Sequence, residues 1–391
     1  MPFSDAVFPP PDWSGTLRAE HLWPASPKLP ICLDDAAVVC RQGTIVSAGS
    51  WPRICSATLP EPIVNVPGHV CPALINAHSH LELSHLRGLV ARGQGFEVWV
   101  SSLVELNLMN QDSGTLDQAV AEMRDSGVVH VADTCSRQPE PVAEALTRAG
   151  LSFHLLMERI GFKDRCPDVE TPLPTTAAHA IPSGHALYST APTILSAAKA
   201  ETRARNQPFS IHLAEHPGET ELLLSGSGPL RQLLAKRILP SGYAHPGHSP
   251  VDHAQRLGLL DAKTLAVHCV HLNDRDIALL VDSGATVCLC PRSNAYIGVG
   301  QARWTDLLQT EIPLCMGTDS LASNDDLRLW SEAVFLQSHL ENPLGLERLV
   351  PMLTAVPARV LGLENLGQVV SGKNAALTRV PDDVLETCQS S

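Results

Sequence analysis

Two histidines one residue apart, His78 and His80, are the first residues in this sequence whose spacing indicates chemistry. The short apolar run 73–77 precedes them and is bounded upstream by Pro72, which is typical of a buried strand. Side chains two residues apart on a strand point to the same side, so these imidazoles would converge on one point. Two neutral imidazoles aimed at one point are half of a first-row metal site. The alternative is two unrelated histidines, one solvated and one packed.

More histidines and acids follow later apolar runs. His212 ends one run and Glu215 comes just after it, His268 lies near the end of another, and Asp319 follows a third. Any one of them alone would more often be a structural polar residue. Packing alone does not explain the whole set, because each would be a buried polar group that needs its own partner.

Eight short apolar runs, separated by amphipathic stretches of helical length, would position these residues. Alternating β and α units predict a parallel sheet, and eight units predict a closed (β/α)8 TIM-type barrel. Strand ends on the active face of such a barrel carry the catalytic groups, so the polar residues would face one cavity. The predicted strands are 73–77, 128–134, 151–157, 186–190, 209–213, 265–270, 286–290 and 312–316. The predicted helices include 116–126, 191–204, 274–282 and 327–340.

Both chain ends are rich in short β-like segments. Two β-prone runs flank Gln42-Gly43 and predict a hairpin, and the stretch 367–373 has a similar β-like pattern. We therefore expect a small β-sandwich domain composed of residues 1–68 and 362–391, and a barrel over residues 69–361. The proline-rich stretch 167–182 is predicted to be a loop.

Composition limits the possible partners and compartment. The chain of 391 residues is 44% hydrophobic and carries a net charge of −13 without basic runs, which argues against a nucleic-acid or membrane-surface partner. No apolar run reaches the roughly 18 residues that a membrane span needs. The 11 cysteines show no framework spacing and no signal peptide is visible, so we expect reduced thiols and a cytoplasmic protein. Cys288 and Cys290 could form a metal pair, but core packing is favoured because no matching pair lies elsewhere.

The motifs in this order resemble the amidohydrolase superfamily, in the branch that holds cytosine, guanine and S-adenosylhomocysteine deaminases and the triazine chlorohydrolases. The matching motifs are Asn76-Ala77-His78-Ser79-His80, His212-Leu213-Ala214-Glu215, Val267-His268-Cys269, Cys290-Pro291-Arg292-Ser293-Asn294 and Gly317-Thr318-Asp319-Ser320. Finer details resemble aminodeoxyfutalosine deaminases: Glu82, Leu86-Arg87-Gly88, Phe96-Glu97-Val98-Trp99 and Leu321-Ala322-Ser323-Asn324. The chain departs from relatives at 184–188, where both prolines of their Pro-His-Ala-Pro-Tyr pattern are missing.

The resemblance implies one divalent metal ion, Zn²⁺ or Fe²⁺. Its implied ligands are His78, His80, His212 and Asp319. Binuclear relatives carry a carboxylated lysine on the fourth strand, whereas the ranges 151–162 and 171–196 contain no lysine, so a single metal is expected.

The resemblance also implies catalytic roles for three residues. Asp319 would take the proton of the attacking water, Glu215 would deliver a proton to a ring nitrogen of the substrate, and His268 would steady the attacking oxygen as a hydrogen-bond donor or acceptor. The candidates for substrate contacts are Glu82, Trp99, His185, Tyr188 and Asn294. For three of them another interpretation stays open: Glu82 as a solvated loop acid, Trp99 as core, and Asn294 as a residue that shapes its loop.

The leading expectation is a hydrolytic deaminase that acts on a small heterocyclic amine, specifically an adenine nucleoside derivative. The best single candidate is the conversion of 6-amino-6-deoxyfutalosine to futalosine and ammonia in menaquinone biosynthesis. The alternatives are deamination of S-adenosylhomocysteine, methylthioadenosine or adenosine, and hydrolysis of another amino- or chloro-heterocycle. A non-enzymatic binding module is a further alternative, which purified protein without bound metal would favour. A homodimer is possible.

Overall fold

The computed structural model describes residues 6–56, 58–106, 113–162 and 180–388. The strands in this part of the chain are β1 Gly15–Leu22, β2 Leu33–Arg41, β3 Thr44–Ser50, β4 Ile63–Pro72, β5 Leu74–Ser79, β6 Val128–Cys135, β7 Ser152–Arg159, β8 Ala180–Gly184, β9 Phe209–Leu213, β10 Thr264–His268, β11 Thr286–Leu289, β12 Leu314–Met316 and β13 Leu377–Arg379.

The helices alternate with strands through the middle of the chain and dominate its last part. The α-helices are α1 Trp51–Ile54, α2 Phe96–Glu105, α3 Ser113–Asp125, α4 Pro139–Arg148, α5 Pro192–Ala204, α6 Pro217–Ser225, α7 Gly228–Ala235, α8 Pro250–Arg256, α9 Asp274–Ser283, α10 Pro291–Ile297, α11 Trp304–Leu308, α12 Leu329–Ser338, α13 Leu346–Leu353, α14 Ala355–Leu361 and α15 Asp382–Cys388. A 3₁₀ helix covers Leu81–Leu86.

A five-stranded sheet brings the two chain ends together in the order β13-β4-β1-β2-β3. The predicted hairpin is confirmed as β2 and β3, which pair antiparallel. Gln42 and Gly43 between them have φ of 47° and 71°, the left-handed backbone that a tight hairpin turn needs. Phe8, Leu17 and Leu377 are at most 1% exposed and belong to the apolar core on this sheet.

The expected β-like stretch 367–373 is not a strand, so that prediction is wrong. Gly367 and Gly372 have φ of 80° and 90°, which an extended strand does not accommodate. The stretch instead forms turns, and the strand from this end of the chain is β13. Within the described ranges, both chain ends contribute to one sheet, and the β-sandwich stays a prediction.

Two four-stranded sheets occupy the middle of the chain, in the orders β5-β6-β7-β8 and β12-β11-β10-β9. The pairs β7–β8, β9–β10, β10–β11 and β11–β12 are parallel. Seven of the eight predicted strands are confirmed, each with bounds close to those expected. Isolated parallel bridges also link Ser79 with Asp319 and Ala186 with His212.

The fourth predicted strand is wrong. The strand is β8, whereas residues 186–190 form the turn that follows it. Pro182 lies in β8 opposite Met157, although proline normally argues against a strand because it lacks the N–H donor. It is tolerated here because β8 is the outer strand of its sheet. The predicted loop 167–182 is likewise wrong at its last three residues, and its remainder lies outside the described residues.

The chain divides into two compact units. One consists of Met1–Asn76, Ala121–Val131 and Arg328–Ser391, and the other of Ala77–Val120 and Ala132–Leu327. All the residues that the sequence places in a catalytic or binding site belong to the second unit.

The cysteines in the described ranges are free thiols. Cys269, Cys288, Cys290 and Cys315 are fully buried, either within an apolar strand or directly after one, which agrees with a packing role. Across the same ranges, no helix combines the length and the hydropathy that crossing a membrane requires.

Candidate active site and metal centre

The polar residues of the site follow strand ends where the backbone changes direction. Ala214, His268, Cys269 and Asp319 all have positive φ, between 49° and 72°. Such backbone costs a non-glycine residue about 1–3 kcal/mol and persists only where the surroundings fix it. Hydrogen bonds to neighbouring strands provide this fixation, since the Asp319 N–H donates to the His78 carbonyl oxygen at 3.1 Å and the Cys269 N–H to that of Leu213 at 3.0 Å.

The close approach of the β12 end to β5 depends on Gly317. A Cβ at this position would lie 2.7 Å from the carbonyl oxygen of His78, which no real side chain tolerates. Glycine therefore allows the following residues to reach the His78 carbonyl, with the Thr318 N–H donating at 3.0 Å. The motif Gly317-Thr318-Asp319 thus places an aspartate next to the first histidine.

Imidazoles and one carboxylate converge at these strand ends. The Nε2 atoms of His80 and His212 are 3.2 Å apart. Asp319 Oδ1 lies 3.9 Å from the Nε2 atoms of both His78 and His80. The ligand atoms of His78, His80 and Asp319 lie within 4.8 Å of one another, as do those of His78, His212 and His268. The structure therefore brings together all the residues that the sequence suggested for metal binding.

Hydrogen bonds behind the imidazoles fix which nitrogen faces the cluster. His78 Nδ1 lies 3.2 Å from Thr134 Oγ1, and His212 Nδ1 lies 2.9 Å from the carbonyl oxygen of His185. A carbonyl oxygen only accepts, so His212 Nδ1 carries the proton and its Nε2 presents a lone pair. Burial holds the pKa of His78 and of His212 well below the usual value, so both rings are neutral and able to ligate a metal.

Asp319 is held as a carboxylate with one oxygen directed at the imidazoles. Its Oδ2 accepts hydrogen bonds from Ser293 Oγ at 2.5 Å and Ser323 Oγ at 3.2 Å. Burial raises the pKa of Asp319, but the imidazoles, led by His80, and the Ser293 hydroxyl together outweigh it and lower the pKa to about 2. Asp319 is therefore ionised throughout the physiological pH range.

Glu215 and His268 form a second pair of groups that can exchange protons. Glu215 Oε1 lies 3.6 Å from His268 Nε2, and both side chains are buried. Burial, with the nearby Asp319 charge, raises the pKa of Glu215 well above its usual value, which favours the protonated form of Glu215. His268 Nδ1 donates to Asn294 Oδ1 at 2.9 Å, which leaves Nε2 as a hydrogen-bond acceptor. The sequence left open whether His268 is a hydrogen-bond donor or acceptor towards the attacking oxygen, and the structure favours the acceptor.

A cavity of about 280 Å³ opens onto this cluster. Most of the residues that the sequence placed in the site line it: His80, Glu82, Trp99, His185, Tyr188, His212, Glu215, His268 and Asp319. His78 and Asn294 are fully buried behind the lining, Asn294 against the His268 ring. Asn294 therefore contacts the His268 ring and does not itself line the cavity.

Part of the cavity lining is apolar and aromatic. Trp99 and Phe96 come from α2, and Leu230 and Leu234 come from α7. Trp99 Nε1 donates to the Ala322 carbonyl oxygen at 3.0 Å, so this side chain both lines the cavity and fixes its own helix. An apolar lining combined with a few polar groups suits an aromatic heterocycle.

His185 and Tyr188 lie in the turn after β8 and line the same cavity. Burial lowers the pKa of His185 to about 3, so the ring is neutral. Its ring centroid is 5.9 Å from that of Tyr188, in an edge-on arrangement. The turn that replaces the expected strand thus places both residues beside the site despite the missing prolines.

Glu82 is buried rather than solvated, with 6% of the residue exposed. Its carboxylate accepts hydrogen bonds from the backbone N–H groups of Ser136, Arg137 and Gln138, at 3.1 to 3.3 Å. Burial raises the pKa of Glu82, but the hydrogen bonds, led by that of the Ser136 side chain, outweigh it and leave the pKa below its usual value. Glu82 therefore orders the segment that begins α4 in addition to lining the cavity.

The sequence did not single out two acids at the site. Asp133 Oδ1 accepts from Ser79 Oγ and from the Leu81 N–H, both at 2.8 Å, and so fixes the segment that carries the paired histidines. Glu158 lines the cavity, with its Oε1 3.4 Å from His212 Nδ1. The available signal was position, because Asp133 lies in the second predicted strand and Glu158 directly follows the third.

The Amidohydrolase family model matches residues 69–387, a range that contains every residue of the cluster. The chain belongs to the amidohydrolase family. Membership of this family, together with the similar deaminases described in the next paragraphs, shows that the chain is a hydrolase acting on carbon–nitrogen bonds. The family match also confirms the resemblance to the amidohydrolase superfamily that the motifs at the strand ends indicated.

Two similar amidohydrolases act on nucleoside substrates according to their names. The 5-methylthioadenosine/S-adenosylhomocysteine deaminase of Haloarcula marismortui is 29% identical over 337 residues, which cover 81% of this chain and 73% of the relative. The aminodeoxyfutalosine deaminase of Deinococcus radiodurans is 26% identical over 284 residues, which cover 68% of this chain and 67% of the relative.

A solved structure shares the fold of this amidohydrolase. Helicobacter pylori aminofutalosine deaminase, in complex with methylthio-coformycin, superposes with a TM-score of 0.81 at 18% identity and covers 96% of each chain. The likeness shows a shared α/β fold over nearly the whole length.

The donor set of this amidohydrolase fits a divalent metal ion. Neutral imidazoles and one carboxylate are ligands that first-row divalent ions such as Zn²⁺ prefer. The short distance between the Nε2 atoms of His80 and His212 is close to the separation of two nitrogens bound to one ion at about 2.0–2.1 Å. No lysine is among the described residues that line the cavity.

Glu219 is a buried acid on α6 that gives the stability of this amidohydrolase a pH dependence. Burial raises its pKa to about 8, although its Oε2 accepts from the Glu215 N–H at 3.0 Å. In the unfolded chain the pKa returns toward 4.5, so between these values the folded state binds the extra proton. The folded state therefore loses stability as the pH rises from about 5 to 8, because the buried Glu219 must then give up its proton.

We expect Glu219→Gln to remove this dependence, because glutamine is neutral and keeps an acceptor for the Glu215 N–H. The difference in melting temperature, variant minus wild type, should increase by about 2 °C or more between pH 5 and pH 8. Thermal unfolding at both pH values measures this, with the exposed Glu221→Gln as matched control. A difference that does not change with pH would contradict the assignment.

Proposed function

We propose that this chain is a metal-dependent hydrolytic deaminase of an adenine nucleoside derivative. The observation that carries the proposal is the arrangement around one cavity of Glu215 with its raised pKa, an acceptor nitrogen on His268 and an ionised Asp319. The cavity has an apolar wall for a flat ring. The names of two relatives, both deaminases of adenosine-like compounds, support this reaction class.

In this proposal one metal ion, Zn²⁺ or Fe²⁺, is resident in the site. Its proposed ligands are His78, His80, His212 and Asp319. When bound, the ion lowers the pKa of water and strengthens it as a nucleophile. Replacement of the ring amine by oxygen consumes one water and releases one ammonia.

The protein side chains move the protons of this reaction. Asp319, the only ionised group of the three, takes a proton from the attacking water. Glu215 delivers its proton to the ring nitrogen beside the attacked carbon, which makes that carbon more electrophilic. The Nε2 lone pair of His268 accepts a hydrogen bond from the attacking water and so orients it. Each proton transfer of this kind typically contributes about two to four powers of ten in rate.

The proposed substrate is 6-amino-6-deoxyfutalosine, converted to futalosine and ammonia in menaquinone biosynthesis. Support comes from the relative named for this substrate and from the buried Glu82 and the half-buried Trp99, two of the details that resemble such enzymes. Methylthioadenosine and S-adenosylhomocysteine form the second candidate class, which the Haloarcula relative favours.

An ultraviolet assay distinguishes these candidates. Metal-replete protein is mixed in parallel with aminodeoxyfutalosine, methylthioadenosine, S-adenosylhomocysteine and adenosine, and the adenine-to-hypoxanthine absorbance change is followed. The highest kcat/KM is expected for aminodeoxyfutalosine. Preference for another compound would keep the mechanism and replace the substrate. No absorbance change with any of them, in protein with bound metal, would overturn the proposed function.

We also infer that the two four-stranded sheets close into one (β/α)8 barrel over residues 69–361. The bridge between Ser79 and Asp319 links the end of β5 to the segment after β12, and the bridge between Ala186 and His212 links the segment after β8 to β9. These are the outer strands of the two sheets, so two bridges suffice to join them into a ring.

A further inference from the structure

Another group of side chains that can bind a metal lies on the five-stranded sheet of the chain ends. His21 is on β1, Asp34 is on β2, and Cys32 lies just before β2. One ligand atom from each of the three lies within 4.8 Å of the other two. All three residues belong to the first compact unit, and none of them lines the cavity of the proposed active site. The group is therefore distinct from the residues assigned to deamination.

The pairing of three neighbouring strands brings these side chains together. β4, β1 and β2 are adjacent in the sheet, and His21 pairs with Asp34 on one side and with His69 on the other. Residues that pair across neighbouring strands point their side chains to the same face of the sheet. Cys32 comes two residues before Asp34, which is the spacing that returns a side chain to that face. The strand register thus sets the position of the group.

The His21 ring is held in place although it is partly exposed. Its Nδ1 lies 2.8 Å from Asp34 Oδ1. The ring also stacks against that of His69, with the two centroids 4.4 Å apart. His69 is fixed in turn, because its Nδ1 accepts a hydrogen bond from Trp23 Nε1 at 2.9 Å. An imidazole that its neighbours already orient loses little freedom when it binds an ion.

An ion can reach all three donor groups from solvent. The side chains of His21 and Asp34 are 34% and 83% exposed, and Cys32 is a partly exposed free thiol. Ligand atoms around a tetrahedral zinc ion lie about 3.3–3.6 Å apart, so the His21–Asp34 pair must open by about 0.5 Å. The high exposure of Asp34 leaves its side chain free to make this movement.

The chemistry of the donors identifies the ion. Thiolate and imidazole are ligands that Zn²⁺ prefers, whereas Mg²⁺ and Ca²⁺ require oxygen ligands. We propose that His21, Cys32 and Asp34 form a second metal site, which binds Zn²⁺. Three protein ligands leave the fourth position to water, so this site exchanges its ion with solvent more readily than a closed site with four protein ligands.

Binding replaces the thiol proton of Cys32 by the ion. Burial, with the Asp34 charge, raises the pKa of Cys32, so the free protein carries the thiol. The S–H bond breaks as the bond between sulfur and metal forms, and the proton leaves to solvent without any oxidation or reduction. His21 precedes and Cys32 follows the segment that joins β1 to β2, so the ion ties the two ends of this segment together.

Cobalt spectroscopy tests the site without relying on catalysis. Co²⁺ bound to a thiolate gives an intense charge-transfer band in the near ultraviolet, whereas the ligands proposed for the active site are imidazoles and a carboxylate. The purified protein with its resident metal is kept reduced with a phosphine and titrated with Co²⁺. We expect the band to appear and to saturate at one equivalent per chain in wild type, and to be absent from Cys32→Ser.

Cys55→Ser is the matched control, because Cys55 is another accessible free cysteine of the same unit, and this variant should keep the band. His21→Gln should weaken Co²⁺ binding more than about tenfold, since loss of a ligand costs more than loss of a supporting residue. Equilibrium dialysis against Zn²⁺ should leave one more ion per chain on wild type than on Cys32→Ser. Absence of the band from wild type at saturating Co²⁺, or its persistence in Cys32→Ser, would overturn the proposal and leave the proposed deaminase function unaffected.

Discussion

Asp319→Asn should abolish deamination, with a fall in kcat of about four powers of ten. Asparagine keeps the size of the side chain and an acceptor for the Ser293 hydroxyl, but it removes the negative charge that accepts the proton of the attacking water. It also weakens one of the proposed metal ligands. Steady-state deamination, with metal content measured on the same preparation, tests this expectation.

The fold should survive this substitution, because asparagine tolerates the left-handed backbone that position 319 adopts with φ of 55°. Far-ultraviolet circular dichroism and the melting temperature check that point. Asp325→Asn is the matched control, since Asp325 is exposed and lies outside the cavity lining, and it should retain wild-type activity. Turnover near the wild-type rate in Asp319→Asn would remove Asp319 from the mechanism.

Glu215→Gln should lower kcat by about two powers of ten or more while metal content stays near that of wild type. Glutamine fills the same buried space, but it has no acidic proton to give to the ring nitrogen. Because burial and Asp319 raise the pKa of Glu215, its acid form persists to higher pH than that of an ordinary glutamate and is lost only above the raised pKa. Wild-type activity should therefore fall as the pH rises above that pKa.

The pH profile supplies the control for this second prediction. The alkaline fall in kcat should be absent from the residual activity of Glu215→Gln and present in Glu221→Gln, an exposed acid of the same helix region. Loss of metal along with activity would instead identify Glu215 as a ligand and contradict the assignment of a proton donor.

Strand positions and the histidines that follow them could be predicted because local pattern determines both. An apolar run that ends in His78, His212 or His268 contains its own evidence for a strand and for a polar group at its end. The fourth strand could not be found in this way. Pro182 lies within this strand, and a proline in a sequence argues against a strand. Only the outer position of β8 in its sheet explains why the proline is accepted there.

The environment of the acids could not be predicted, because their partners are distant in sequence. Glu82 seemed equally suited to solvent, yet its carboxylate accepts hydrogen bonds from Ser136, which is 54 residues away. Glu158 follows a predicted strand, but nothing nearby in sequence shows that one of its oxygens lacks a donor. Such properties arise only when the strands are assembled.

The left-handed residues at the strand ends have a consequence for protein engineering. At Ala214, His268 and Asp319 a substituted residue must accept positive φ, which excludes β-branched side chains and leaves few choices such as glycine, asparagine and aspartate. Leu230 and Leu234, which line the cavity from helix α7, carry no such restriction. Libraries that aim to change the accepted heterocycle should therefore vary the helical wall, where substitutions alter pocket shape without disturbing the backbone that holds the reacting groups.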